Sequence, residues 1–330
     1  MTVLVLTCAE DVTADMVVDR LNRDAVPVLR LDPADFPGRV GCIATMADGQ
    51  LSGCLTYNSR ILPLAEIRSV WVRRPGTPDT SGMEQSKWMA HESAHALYGT
   101  LRCLPRLRWM NHPDAQAMAR YKIPQLRTAE AVGLNTVPTV VTTDPRGAEI
   151  FADLHGPVVC KAVSGRQPDG LALPTTPIPR GADFSAVAAS PTCLQQSIEK
   201  VADIRLTVVG DSLFCAMASS TGSDVRFAED VRWQESRVPE GIAPKVAAFM
   251  KAYGLSYGAF DFLVDADGEW WFLECNPAGQ FGFIELATGQ PISWAIADHL
   301  ARTPAAERLV TRSAGVVAER PSHPWGSPPA

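Results

Sequence analysis

Two carboxylates and an amide stand close together in Asp261-Phe-Leu-Val-Asp-Ala-Asp-Gly-Glu-Trp-Trp-Phe-Leu-Glu274-Cys-Asn276. Two apolar runs flank Asp265-Ala266-Asp267-Gly268, a tight-turn composition. Closing a hairpin there sets Asp261 opposite about Phe272. Strand side chains alternate with period two, so Asp261, Phe272, Glu274 and Asn276 fall on one face. Diagonal neighbours on such a face lie ~7–8 Å apart. One or two Mg²⁺ ions span that gap with metal–oxygen distances of ~2.1 Å, and an all-oxygen set suits a hard cation that holds phosphates. The competing reading is a polar rim on a half-exposed sheet. Glu274 and Asn276, however, close a Trp-Trp-Phe-Leu run, where a carboxylate needs a partner or a metal. Asp265, Asp267, Gly268 and Glu274 also fit four positions of a calcium-binding loop, but its first ligand would be Leu263 and its flanks read as strands.

A second motif points to different chemistry. His91-Glu92-Ser93-Ala94-His95 is a formal HExxH, with two histidines one helical turn apart and a glutamate between, as zinc hydrolases require. A third ligand is needed, and His112 fits no zincin spacing. The bland reading is an amphipathic helix with Trp88 and Leu97 toward the core. Arg73 and Arg74 end a strand of a parallel sheet, where ligand crevices open, and could hold an acidic side chain or close the strand with charge. Nothing in the chain reads as a Ser/His/Asp or Cys/His arrangement.

The elements that position these groups follow from periodicity and punctuation. Residues 3–7 (VLVLT) read as a buried strand, 12–22 as a helix and VPVLRLD as a second strand. This β–α–β order within thirty residues implies a parallel sheet with a right-handed crossover. GCIATM and LSGCLTY flank Ala47-Asp48-Gly49-Gln50, a hairpin signal. SVWVRRP is a strand, a helix spans about 84–103, and RWMNHP is a further strand. Residues 114–133 read as one helix ending at Gly133. Beyond it come the strands VPTVVTTD, PVVCKAV and CLQQSI, a hairpin turning at Gly210-Asp211, the helix GIAPKVAAFMKAYGL, the Asp261–Asn276 hairpin and a helix at about 291–302. The fold class is α/β. Residues 1–113 form an N-terminal parallel-sheet domain, 114–310 a second domain, and 311–330 a Pro-rich tail whose composition predicts disorder.

Of 330 residues, 46% are hydrophobic and 20% charged, which excludes a largely disordered chain. No apolar run reaches the roughly 18 residues of a membrane span, and the N-terminus lacks the basic start of a signal peptide. A net charge of −6 argues against non-specific binding to nucleic acid or anionic membrane. The eight cysteines form no CxxC pair and sit mostly in apolar runs, which reads as reduced thiols in a cytoplasmic protein.

At this point the order of segments becomes recognisable. The hairpin resembles the metal hairpin of the ATP-grasp fold. Lys122 opening IPQLRTAEAVGL, Lys161 ending PVVCK, CLQQSIEK-VADIRLTVVG and CNPAGQFGFIELATGQPISWAIADHL resemble, in order, the remaining parts of that fold, near the ribosomal-protein glutamate ligases. WVRRP, DIRLTVVG and NPAGQFGFIE resemble, more narrowly, the maturases that macrocyclise ribosomal peptides: the microviridin-type (graspetide) ω-ester and ω-amide ligases of the actinobacterial branch. The resemblance spans residues 1–302. It implies an N-terminal pre-ATP-grasp domain followed by two α+β subdomains clasping ATP. It implies that Asp261, Glu274 and Asn276 bind Mg²⁺, that Lys122 and Lys161 contact phosphates, and that Gln195, Gln196, Ser197 and Ile198 form the adenine hinge. Asp203 would accept from the ribose hydroxyls. Arg205 and Arg226 would neutralise the transferring phosphate, with Asp224 orienting Arg226. D-alanine ligases of the superfamily carry an arginine where this chain has Ala259, so Arg226 is the candidate to supply that charge. The loop Ser164–Gly170 has only two glycines for a phosphate loop. The implied activity is ATP-dependent ring closure between Asp/Glu and Thr/Ser/Lys side chains of a precursor peptide with leader and core. The rivals are an intermolecular ligase that adds an amino acid such as glutamate, a peptide-binding module without turnover, and a zinc hydrolase built on HExxH. The sequence leaves a homodimer open.

Overall fold

The computed structural model describes residues 1–302 apart from 83, 106, 165–172 and 220–230. The expectations for Asp224, Arg226, most of the Ser164–Gly170 loop and the 311–330 tail lie outside these residues.

The strand Thr2–Thr7 is apolar at every position from Val3 to Leu6, all fully buried, as a strand covered on both faces must be. It pairs in parallel with Val28–Leu31 on one side and Ile67–Arg74 on the other, and Arg108–Met110 extends the sheet in parallel beyond Ile67–Arg74. Chain order reverses between Thr2–Thr7 and Ile67–Arg74. The crevice of such a sheet therefore opens at Thr7 and Arg74, the C-terminal ends of these two strands. An antiparallel sheet of Val40–Ala47, Gln50–Tyr57 and Arg60–Pro63 is inserted between the second and third strands. Its first turn places both Asp48 and Gly49 at positive φ, the tight hairpin geometry those residues favour.

The expected helix over 114–133 is two helices, Pro113–Met118 and Lys122–Ala131. Pro124 is the reason. In a continuous helix its ring would strike the Arg120 carbonyl, and it has no N–H to donate there. The chain restarts after Tyr121, so that Pro124 falls in a first turn, where its missing donor costs nothing.

Two antiparallel sheets follow. The smaller is ordered Thr176–Ile178, Val158–Lys161, Thr192–Gln196, Thr139–Thr142. The larger runs Gln234–Glu235, Ser212–Ser219, Lys200–Val209, Tyr257–Asp265, Trp270–Asn276 and the short Asn135–Thr136. Phe260, Phe262 and Phe272 of the larger sheet share one core with Phe249 of the helix Ile242–Tyr253. The helices Gly282–Thr288 and Ile292–Ala301 cover the opposite side. Their Ile284, Ile292 and Ile296 share one core with Val3, Val5 and Trp71 of the N-terminal sheet and Val17 of the helix Val12–Arg23. The N-terminal sheet thus packs continuously with the sheet that carries the hairpin.

In the helix Ser86–Arg102, Leu97 and Leu101 are fully buried, but Trp88 is 60% exposed. This corrects the expectation that Trp88 and Leu97 share the core face. Nine residues separate them, two and a half turns at about 3.6 residues per turn, which puts them on opposite sides.

Candidate active site

The hairpin of Tyr257–Asp265 and Trp270–Asn276 closes as expected around Asp265-Gly268. The Asp265 carboxylate takes the backbone N–H groups of Asp267 (3.1 Å) and Glu269 (2.9 Å) and the Trp271 indole N–H (2.8 Å). The Trp271 indole and these amides hold its carboxyl below the usual value. The register differs from the expected one. Asp261 lies directly across from Glu274, and Phe262 from Phe272. Leu273 is therefore an extra residue on its strand, a β-bulge that reverses the alternation beyond it. Phe272 drops into the core with Phe260 and Phe262, and this corrects its placement on the acidic face. Asp261 and Glu274, paired across the strands, and Asn276, across from Ala259, remain on one face. Directly opposed side chains stand only ~4.5–5.5 Å apart at Cβ, closer than the diagonal spacing expected from sequence. The buried residues Phe272 and Cys275 are three apart, and a regular strand cannot bury both on one face. That spacing was the available signal.

Cations from three other elements converge on this face. The Lys122 ammonium, at the start of its helix, contacts the Glu274 carboxylate. Burial would raise the Glu274 carboxyl, but Lys122, with Lys161 and Arg205 behind it, holds it below the usual range. Arg205 is opposite Asp261 on the neighbouring strand, with Nε 3.2 Å from Oδ1. Its guanidinium lies 5.6 Å from the Phe283 ring, which meets Trp233 edge-on. Lys161 donates to Gln195 Oε1 (2.6 Å). Gln125, which sequence reasoning passed over, fixes the helix to the strand: its amide accepts from Cys275 N (2.7 Å) and donates to Cys275 O (2.9 Å).

Gln195, Gln196, Ser197 and Ile198 connect the smaller sheet to the larger one and line the same cleft. The N–H groups of Gln196 and Ser197 already donate to Pro138 O (3.0 Å) and Pro157 O (2.7 Å). Asp203 is 7% exposed, and its carboxylate accepts from the buried Lys200 ammonium at 2.6 Å. Asp203 is therefore engaged in an ion pair, and Glu199 is an exposed acid on the same wall. Neither Lys200 nor Glu199 stood out in the sequence, because a Glu-Lys pair after a strand is ordinary surface composition.

The two neighbouring arginines separate. Arg74 is exposed and lines the cleft. Arg73 is 4% exposed. Its terminal nitrogens donate to Ala278 O (2.5 Å) and Gln280 Oε1 (2.6 Å), and its Nε lies 3.8 Å from the Asp11 carboxylate. Both arginines border the cleft, but the Arg73 guanidinium is taken up by the chain, which corrects the expectation that the two reach for substrate alike. Strand alternation sends consecutive side chains to opposite faces.

The cleft measures about 1330 Å³, more than the ~300–1,000 Å³ of ordinary small-molecule sites. Its described lining holds seven lysine and arginine side chains against four carboxylates, although the chain carries −6 overall. Such a lining concentrates anions. The oxygen donors Asp261, Glu274 and Asn276, facing each other inside it, fit a hard divalent cation.

The HExxH histidines gather no comparable surroundings. His91 and His95 are exposed, with ring centroids 4.0 Å apart, and His95 Nδ1 bonds the His91 carbonyl (2.9 Å). His112 Nδ1 instead accepts from Asp114 N, capping the next helix. Among the described residues no group of three or more His, Cys, Asp or Glu side chains is placed to hold a metal.

Residues 2–117 match the family model of the MvdD pre-ATP grasp domain. The chain resembles the crystal structure of macrocyclase MdnC bound with precursor peptide MdnA from Microcystis aeruginosa MRC, with TM-score 0.81 and 28% identity, over 91% of this chain and 99% of that one. It also resembles the Chryseobacterium gregarium RiPP-associated ATP-grasp ligase in complex with ADP and a leader and core peptide, with TM-score 0.81 and 25% identity, over 91% and 96%. A probable alpha-L-glutamate ligase of Pseudoalteromonas translucida is 26% identical over 219 residues, 62% of this chain and 71% of that protein.

Proposed function

We propose that this chain, an ATP-grasp ligase with a pre-ATP-grasp domain at its N-terminus, uses ATP to activate Asp or Glu side chains of a ribosomally made precursor peptide. It then closes them onto Thr, Ser or Lys side chains of the same peptide as ω-ester or ω-amide rings. The observation that carries this reading is the cleft itself. Oxygen donors, three partnered cations and a surplus of positive charge meet in a volume larger than a nucleotide needs. The MdnC and Chryseobacterium relatives, with their peptides, support it.

Phosphoryl transfer needs positioning and charge stabilisation rather than a protein nucleophile. Asp261, Glu274 and Asn276 would hold Mg²⁺, which when bound neutralises charge on the phosphates. Lys122 and Lys161 reach the same space and take phosphate oxygens. Arg205, with its fork suited to phosphate, is held in place by Asp261 and the Phe283 ring and faces the group being transferred. The adenine ring meets the 195–198 segment through its carbonyls and the Ile198 N–H, because the N–H groups of Gln196 and Ser197 are taken. Glu199 is placed for the ribose hydroxyls. Arg74, at the sheet crevice, receives an acidic side chain of the peptide, since arginine pairs carboxylate bidentately. Residues 1–113 act as the peptide-facing domain and 114–310 as the catalytic one. All eight cysteines are unpaired, in keeping with a cytoplasmic protein, and no described helix is long and apolar enough to cross a membrane.

The glutamate-ligase relatives favour a second reading, in which a free amino acid is added to a peptide. Mass spectrometry of precursor incubated with the protein, ATP and Mg²⁺ separates the two. Each ring closed by dehydration lowers the mass by ~18 Da as the activated carboxylate is captured. A product heavier than the precursor overturns the cyclase reading.

A further inference from the structure

Each of the four residues that follow Asn276 is held by a polar side chain from elsewhere in the chain. Pro277 O accepts from Asn111 Nδ2 (2.9 Å), Ala278 O from Arg73 (2.5 Å) and Gly279 O from the Tyr257 hydroxyl (2.8 Å). Gln280 Oε1 accepts from Arg73 (2.6 Å) and Thr13 (2.8 Å). Of these groups only Tyr257 belongs to the sheet that carries the hairpin. Asn111, Arg73 and Thr13 come from the N-terminal part of the chain. Asn111 is 1% exposed and uses its whole amide. It also donates to Tyr257 O (2.7 Å) and accepts from Ser256 N (2.6 Å) and Tyr257 N (2.9 Å). It therefore ties the first residue of one hairpin strand to the residue just beyond the other. Arg73 sits beside the buried Asp11, whose Oδ2, the oxygen nearest Arg73, also accepts from the Thr7 hydroxyl (2.7 Å). The loop also turns tightly. A Cβ on Gly279 would stand 2.4 Å from that of Ala259, the residue across from Asn276.

This network has a consequence for Asn276. Its side-chain oxygen accepts from Ala278 N (3.0 Å), and its carbonyl from Gly279 N (3.2 Å). The course of Pro277–Gln280 thus determines where the Asn276 amide points. Groups that orient a ligand side chain from behind tune a metal site nearly as strongly as the ligands do.

We infer that Arg73 and Asn111 are positioning residues. Through the backbone of Pro277–Gln280 they aim the Asn276 amide oxygen into the cleft, so that the N-terminal sheet completes the cation-binding face from outside it. The inference rests on the reading of Asp261, Glu274 and Asn276 as Mg²⁺ ligands. It separates Arg73 from Arg74 in role as the strand separates them in space.

Calorimetric titration of ADP at graded Mg²⁺ tests it on wild type, Arg73→Met, Gln280→Met and the double variant. Each single change raises the Mg²⁺ concentration needed for half-maximal ADP binding by ~10-fold. The double variant raises it no further, because both changes break one link. Without Mg²⁺, ADP affinity is unchanged, and so is peptide affinity without nucleotide. Asn111→Asp, which keeps the acceptor and loses the donor to Pro277 and Tyr257, shifts the Mg²⁺ requirement the same way. Should Arg73→Met fail to fold, Arg73→Lys keeps the charge beside Asp11 but lacks the fork that reaches both Ala278 and Gln280, and the same shift is expected. An unchanged Mg²⁺ requirement, additive effects, or weakened peptide binding in Arg73→Met overturns the inference. A wild-type protein whose ADP binding ignores Mg²⁺ removes the metal reading beneath it instead.

Discussion

The hairpin Tyr257–Asn276 and the helix Ser86–Arg102 both carry side chains at metal-binding spacing, and the fold treats them in opposite ways. On the hairpin, Asp261 and Glu274 meet Arg205 from a neighbouring strand, Lys122 from a helix start and Lys161 from a second sheet. On the helix, His91 and His95 face outward and contact mainly each other. Spacing along one element decides only which side chains share a face. A site also needs other elements to bring compensating charge and to exclude water, since a desolvated ion is stable only with partners.

The largest effect belongs to the hairpin. Glu274→Gln keeps the volume and removes the charge that faces Asp261. Peptide-dependent ATP turnover is expected to fall at least ~100-fold, the scale of losing one charge-stabilising group, with little change in melting temperature. Turnover at the wild-type rate would break the comparison. An intermediate effect comes from a histidine of the opposite kind. His299 is largely enclosed, and burial, with Arg108 and Arg302 nearby, lowers it from 6.5 to about 4. In the folded state it stays neutral while the unfolded chain takes up a proton. Its contribution to stability is therefore full above pH 6.5 and is lost as pH falls toward 4. Melting temperature measured across this window should decline with acid, and His299→Gln should flatten the slope. The smallest effect is expected at the exposed pair. His95→Gln should leave ring closure within about twofold of wild type, as surface substitutions do, and metal analysis should find no stoichiometric zinc. One zinc per chain would erase the contrast between the two regions.

Much of the hairpin was legible because its signals are local. A turn sequence, two apolar runs and the alternation of strands are enough to bring Asp261, Glu274 and Asn276 together. The bulge at Leu273 was encoded too, in the three-residue spacing of Phe272 and Cys275, but it carries no residue signature of its own. The broken helix was legible in Pro124. Trp88 was misplaced by a phase error that helical geometry could have caught. Lys200, Glu199, Gln125 and Asn111 were not legible. Polar residues of these types are common on surfaces, and only the chain folded around them buries them or turns them into a cleft.

Arg73 and Arg74 mark the boundary most sharply. Adjacent in sequence and identical in chemistry, they were assigned together, and local pattern determined that they end a strand at the mouth of a parallel sheet. The sequence by itself also determined the order of elements, the acidic hairpin and the lysines that precede it. The tertiary structure alone decided that Arg73 is buried against Ala278 and Gln280, over 200 residues away, while Arg74 stays in the cleft. Strand alternation requires the two to point apart, but it does not say which side will be covered. That depends on how the helices after residue 282 pack onto the first sheet, and burial of apolar surface between distant segments is non-directional and leaves no mark at either position.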